Sequence, residues 1–167
     1  MNTFFKGKKL LVVGGTSGMG LAVARMVLEA GGSVVLTGNK KDKAEAVQKE
    51  LSPLGPVAVI AANLMTEEGM ETIRQEINAH HRDISLMVNA AGIFMPKGFT
   101  EHSFADYDMY LSLNRATFFI TQDAKDLIVF FVVDFSVAEY FSIQTVSDGL
   151  KNRLWCGKSH VSNPEVD

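Results

Sequence analysis

The sequence predicts an α/β fold built on a doubly wound parallel sheet, and three observations predict it. Short apolar runs alternate with stretches of helical periodicity, the first run closes in a glycine-rich turn that opens straight into a helix, and 167 residues hold one sizeable core. Strand alternating with helix at these lengths marks βαβ units, whose right-handed crossovers place helices on both faces of the sheet.

Each element has its own justification. Lys9 to Val13 is a nearly unbroken apolar run, the pattern of a strand buried on both faces, and Gly14-Gly15 closes it. Gly18 to Glu29 carries Leu21, Ala24, Val27 and Leu28 at helical spacing and ends at Gly31-Gly32. Ser33 to Thr37 reads as a second strand and Lys41 to Leu51 as a second helix. Pro53, Gly55 and Pro56 then break the chain before a third strand at Val57 to Ala61. Thr66 reads as the N-cap of a third helix running to about His80, favoured by Glu67 and Glu68, although Gly69 stands where a capping box needs Glu or Gln. A fourth strand at Ile84 to Val88, a loop at Ile93 to His102 and a long helix from Ser103 to about Lys125 follow. Leu127 to Val133 reads as a fifth strand, after which a weak helix near Val146 to Leu154 precedes a polar run.

Composition narrows the function classes. With 47% hydrophobic and 21% charged residues the chain is a globular unit, and a net charge of −3 provides no positive field for nucleic acid. A single cysteine, Cys156, excludes an intrachain disulfide and fits a reducing compartment. The longest apolar runs fall well short of the roughly 20 residues of a membrane helix. Leu10 to Val13 is too short for a signal-peptide core. The expectation is a cytoplasmic chain with neither nucleic acid nor membrane as partner. His80, His81, His102 and His160 have no metal-ligand spacing, so no metal site is expected.

The strongest local signal is Gly14-Gly15-Thr16-Ser17-Gly18-Met19-Gly20, between a predicted strand and a predicted helix. Glycines 14, 18 and 20 suit a tight turn, close approach to a diphosphate and close helix-on-strand packing, with the anion at the helix N-terminus. The bland alternative is a βα turn that binds nothing. The spacing is G-x-x-x-G-x-G and does not match G-x-G-x-x-G.

Together with Asn89-Ala90-Ala91-Gly92 at the end of strand four, Thr37-Gly38-Asn39 after strand two and Arg115-Ala116-Thr117-Phe118-Phe119 in the long helix, this turn resembles the short-chain dehydrogenases/reductases over roughly Phe5 to Gln122. Val13 stands where the family has threonine. The resemblance implies a Rossmann-like NAD(P)-binding domain over 1–125, with 126–167 a divergent tail and the sheet incomplete at its C-terminal edge. It places Gly14, Ser17, Gly18, Met19 and Gly20 at the phosphates and Asn89, Ala90 and Gly92 along the ribose and sheet edge. Asn63, with Leu64 beside it, falls where the family has an adenine-binding Asp; a loop cap is the alternative for Asn63.

An acid about 20 positions past the glycines would bond the ribose 2′-hydroxyl and repel a 2′-phosphate. Gly38 stands there, followed by Asn39, Lys40 and Lys41. NADP(H) is therefore expected over NAD(H), with Gly38→Asp reversing or erasing the preference. Lysines on a solvated helix start are the alternative. The implied activity is hydride transfer between cofactor and a small carbonyl or alcohol, which in the family uses a serine, a Y-x-x-x-K pair and a helix asparagine. Residues four positions after Tyr107, Tyr110 and Tyr140 are Leu111, Asn114 and Gln144, so the pair is not found. Ser136 and Asn114 are the catalytic candidates that remain, and a loop or cap serine is the alternative for Ser136. The chain is expected to be inactive alone, as a dinucleotide-binding or regulatory module, and to self-associate through its last strand.

Overall fold

Alternation along the first strand sets the architecture. Leu10 and Val12 bury toward one face of the sheet, Leu11 and Val13 toward the other, and a strand apolar on both faces needs cover on both. The computed structural model describes residues 4–128 and the backbone of 130–134. Its elements are β1 (Lys9–Val13), α1 (Gly18–Glu29), β2 (Ser33–Gly38), α2 (Lys41–Leu51), β3 (Val57–Ala61), α3 (Glu67–His80), β4 (Ile84–Asn89), a 3₁₀ turn at Phe99–Glu101, α4 (Phe104–Ala124) and β5 (Phe130–Asp134). Every strand pairing is parallel, in the order β3-β2-β1-β4-β5. This is the Rossmann-like α/β arrangement.

Two cores sandwich the sheet. On one face Ala24, Val27 and Leu28 of α1 and Val47 and Leu51 of α2 meet Leu10, Val12 and Leu36. On the other, Ile73 and Ile77 of α3 and Ala116 and Ile120 of α4 meet Leu11, Val13 and Met87. Central β1 is deeply buried, its last four residues being no more than 2% exposed. No helix among the described residues is long and apolar enough to cross a membrane.

Strands β1 to β4 and helices α1 to α3 fall where the sequence puts them. β2 and β4 each extend one residue further, to Gly38 and Asn89. The fifth strand is the correction: it starts at Phe130, three residues later than expected. The amides of Leu127 and Ile128 both donate to the Ala124 carbonyl, at 2.9 and 3.1 Å, and so prolong the end of α4. Both side chains pack on the α3/α4 core. A short apolar run cannot be told from a helix end by periodicity, so the sequence pattern alone fits a strand here. The expected helix near Val146 to Leu154 lies outside the described residues.

The start of α3 shows a cap doing half of what a capping box does. Thr66 Oγ1 accepts the Gly69 amide at 3.1 Å, while the Thr66 amide and hydroxyl both donate to the Asn63 carbonyl. Gly69 is required for a reason unrelated to capping. A β-carbon there would collide with the Asn63 carbonyl oxygen and lie 2.7 Å from its carbon and 2.9 Å from the Asn63 nitrogen. Backbone does not yield as a flexible side chain does. Gly69→Ala is therefore expected to destabilise the fold by about 1–3 kcal/mol, the usual range for overpacking, read as a lowered midpoint in urea. An unchanged midpoint would contradict the packing.

Candidate functional site

The strand order places a crevice. The chain leaves β1 through α1 toward β2 on one side, while β4 lies against the other side of β1. The helices that follow cover opposite faces, so the carboxyl ends of β1 and β4 flank a topological switch point, where open α/β sheets bind ligands. The segments after these two strands are Gly14 to Gly20 and Asn89 to Gly92.

The turn after β1 is held from beneath. Gly14 has φ +78°, and a β-carbon on it would lie 2.6 Å from the Ala91 nitrogen, so the turn rests directly on the backbone of the other segment. Its amide donates to Thr37 Oγ1 at 3.0 Å, and the Gly15 amide donates to the Thr37 carbonyl at 3.0 Å. Thr37 is fully buried. Gly20, in the first turn of α1, packs against the Gly14 carbonyl with no room for a β-carbon. Its part in the site is thus packing.

Above this base the site is open. Gly18 has φ +54° and no atom within 4 Å of a β-carbon position. Ser17 is the N-cap of α1 in extended conformation, with no side-chain capping bond, and the first turn carries no acidic residue. Met19 beside them is exposed. The amides of a first helical turn have no intrahelical partner, and the helix dipole adds positive potential there. An exposed serine, a glycine that admits close approach and a helix start without carboxylates fit an anion such as a diphosphate.

The end of β4 is fixed by a buried amide. Asn89 is fully buried and its Oδ1 accepts the Ala91 amide at 3.1 Å, while the Ala90 amide donates to the Val13 carbonyl at 2.8 Å. Gly92 has open space around it. Beside β2, Asn39 and Lys40 are exposed, and Lys40 is the N-cap of α2, which is the solvated helix start weighed above. Lys41 faces Glu45 at 3.9 Å, whereas Lys40 makes no ion pair among the described residues.

Three expectations need correction or refinement. Gly38 is buried under Thr16, and a β-carbon at 38 would collide with Thr16 Cγ2, so Gly38→Asp is a steric change as well as an electrostatic one. Leu64, expected beside a ligand, is 8% exposed with its side chain in the α3/α4 core, which leaves only its backbone for the site. Asn63 Oδ1 accepts the Met65 amide at 3.1 Å, so the loop-cap role is filled.

Of the candidates for chemistry, only Asn114, Tyr107 and Tyr110 fall among the described residues. Asn114 is half-buried on α4, between Leu113 at the core and exposed Arg115. Ser136 and Tyr140 lie outside the described residues. Tyr107 is exposed, and the Tyr110 hydroxyl accepts the Met95 amide at 3.0 Å. No three His, Cys, Asp or Glu side chains among the described residues are grouped to hold a metal. Sequence reasoning missed Thr37 and Thr16. The signal was a threonine closing an apolar strand just before a glycine, with a second threonine inside the glycine turn.

With fold and site in place, comparison with known proteins is direct. Residues 8–129 match the short chain dehydrogenase family. The 3-oxoacyl-[acyl-carrier-protein] reductase FabG of Aquifex aeolicus is 34% identical over 127 residues, covering 74% of this chain and 51% of that protein. The NADP-dependent (R)-specific alcohol dehydrogenase of Lentilactobacillus kefiri is 29% identical over 114 residues, 68% of this chain and 45% of that one. Among solved structures, the Pseudomonas aeruginosa RhlG/NADP active-site complex superposes with a TM-score of 0.70 at 25% identity, covering 76% of this chain and 51% of that chain. The chain belongs to the short chain dehydrogenase family. It spans about half the length of the curated relatives it matches.

The loop leading from Gly92 to α4 is anchored by charge. Asp106 accepts from Lys97 Nζ with both oxygens at 2.8 Å, and from the Ser103 amide and hydroxyl at 2.8 Å, completing a capping box. The Lys97 ammonium first, then Ser103, holds this carboxyl well below the usual carboxylate range. A depressed folded pKa contributes stability that is present above the unfolded value of about 3.9 and lost as pH falls below it. Asp106→Asn is expected to melt earlier than the parent at neutral pH. The gap should close as pH falls from about 5 toward 2. A gap independent of pH, in thermal melts followed by circular dichroism, would contradict the ion pair.

Proposed function

We propose that this chain binds a nicotinamide dinucleotide across the switch point of its sheet, with NADP(H) favoured over NAD(H). One observation carries the reading. The open, positive-φ turn at the start of α1 rests on the backbone of Ala90 and Ala91, so a single ligand can reach both segments at once. Ser17, Gly18 and Met19 would hold the diphosphate, and Asn89, Ala90 and Gly92 would line the ribose beyond it. Asn39 and Lys40 would face a 2′-phosphate where an acid would repel it. Asn63 would meet adenine with the second lone pair of its amide oxygen or with its amide N–H groups, its first lone pair being taken by Met65.

A bound nicotinamide supplies hydride chemistry, and the family-level reaction is transfer between the cofactor and a small carbonyl or alcohol. The protein's share of that reaction is a proton donor of tuned pKa beside the carbonyl. A phenol needs a neighbouring cation to bring its pKa from about 10 toward neutrality. No tyrosine of this sequence has a lysine four residues on. This favours a second reading of the chain by itself, as a dinucleotide-binding or regulatory module. Asn114 and Ser136 are retained as the candidates for proton relay and carbonyl contact.

Two measurements test the proposal. NADPH should bind the 167-residue chain, and Gly18→Asp, which sets a carboxylate in the open space of the turn, should weaken binding by at least about tenfold. Meanwhile, NADPH oxidation with aldehydes, ketones and quinones should stay at background, since general acid catalysis alone contributes about 10²–10⁴-fold. Turnover near one per second that Gly18→Asp abolishes would reveal an active site built on other residues.

Self-association belongs to the same proposal. β5 has a strand partner on one side only among the described residues, and Phe104, Leu111 and Phe118 lie exposed along one side of α4. Light scattering of a stable monomer at tens of micromolar would contradict it.

A further inference from the structure

The residue that decides what can stand at the end of β2 is not on β2. Gly38 is buried, and the space where its side chain would begin is already filled by Thr16. A β-carbon at 38 would collide with Thr16 Cγ2 and lie 2.9 Å from Oγ1 and 3.2 Å from Cβ. Thr16 is itself 8% exposed. The amides of Gly14 and Gly15 just before it are tied to Thr37, the residue that precedes Gly38. The two ends of the collision are therefore held in register by the same pair of hydrogen bonds.

Rotation does not relieve it. Threonine branches at Cβ, so two of its three staggered positions always carry a heavy atom. Both positions now occupied face the Gly38 site, and any turn about χ1 leaves at least one of them filled. Serine has one branch and can vacate both; alanine has none; valine is as blocked as threonine. What remains after truncation is the 3.2 Å approach of the two β-carbons, which a shift of a few tenths of an ångström accommodates.

We propose that Thr16 is a specificity-determining residue. By standing over Gly38 it bars every side chain there, a ribose-binding carboxylate included, and commits recognition around the 2′ position to exposed Asn39 and Lys40. The role is that of a positioning residue: Thr16 acts through what it allows at 38. The inference rests on the dinucleotide reading above, and it predicts coupling between two positions of different elements.

The test is a double-mutant cycle on the full chain, read by melting temperature and by NADH and NADPH dissociation constants. Gly38→Ala and Gly38→Asp should each lower the melting temperature. Adding Thr16→Ala or Thr16→Ser should restore most of the loss, and adding Thr16→Val should not. In binding, Gly38→Asp alone should weaken both nucleotides. Thr16→Ala with Gly38→Asp should move the NADH-to-NADPH affinity ratio by about tenfold or more toward NADH, through repulsion of the 2′-phosphate. Additive melting effects, equal rescue by alanine and valine, or a full shift of the ratio by Gly38→Asp alone would each overturn the proposal. A parent chain that binds neither nucleotide overturns the dinucleotide reading and the specificity claim with it. The melting series then still decides, by coupling or additivity, whether Thr16 bars the position.

Discussion

The hydroxyl and carbonyl of Thr37 are the points on which the upper edge of this molecule depends. A glycine turn at positive φ is a poor structure by itself, because its amides point away from any regular ladder and its glycines lose the most chain entropy on ordering. Thr37 accepts from two of those amides in succession and is fully buried while doing so. Losing the hydroxyl would leave the part-buried Gly14 amide without its acceptor, and a buried amide left so costs about 1–3 kcal/mol at most. With the turn fixed, Gly14 lies on Ala90 and Ala91, Gly20 on Gly14, and Thr16 on Gly38. Three strands and one helix are locked around a single side chain.

Much of this was readable from the chain, for a physical reason that also explains the failures. Strands buried on both faces have to be apolar at nearly every position, so β1, β2 and β4 announce themselves; edge strand β3 is apolar too though only half-buried, and glycines and prolines mark where strands stop. Leu127 and Ile128 failed because the same apolarity serves a helix end packing on a core. The third-helix cap was half legible: Thr66 was visible, but the need for glycine at 69 comes from the Asn63 carbonyl, which no pattern in the helix encodes.

The site divides in the same way. Residues whose constraint is local, Gly14 and Gly18 through their backbone and Asn89 through the short reach of its amide oxygen to Ala91, are legible from motif and order. Which way Leu64 faces is not legible in the sequence: its own side chain packs in the core, which leaves its backbone beside the loop. Gly38 was read as a missing charge, and the structure shows it also as a missing volume. That second meaning depends on Thr16, a residue of another turn, and only the fold brings the two together.

The parallel order of the strands has a consequence for how the chain acquires its shape. β1 is central, yet its partners come from very different distances: Ser33 pairs with Lys9 early in the sequence, Ile84 pairs with the same residue only after two further helices. Loop closure grows costlier with length, and non-local pairing of this kind slows folding. As the polypeptide leaves the ribosome, β1, α1 and β2 can assemble first, with β3 adding at the outside. Until β4 emerges, the far side of β1 is a bare apolar ribbon in the middle of the future sheet. The interval of greatest danger for aggregation is therefore built into the topology, and it ends when Ile84 to Asn89 reach their place.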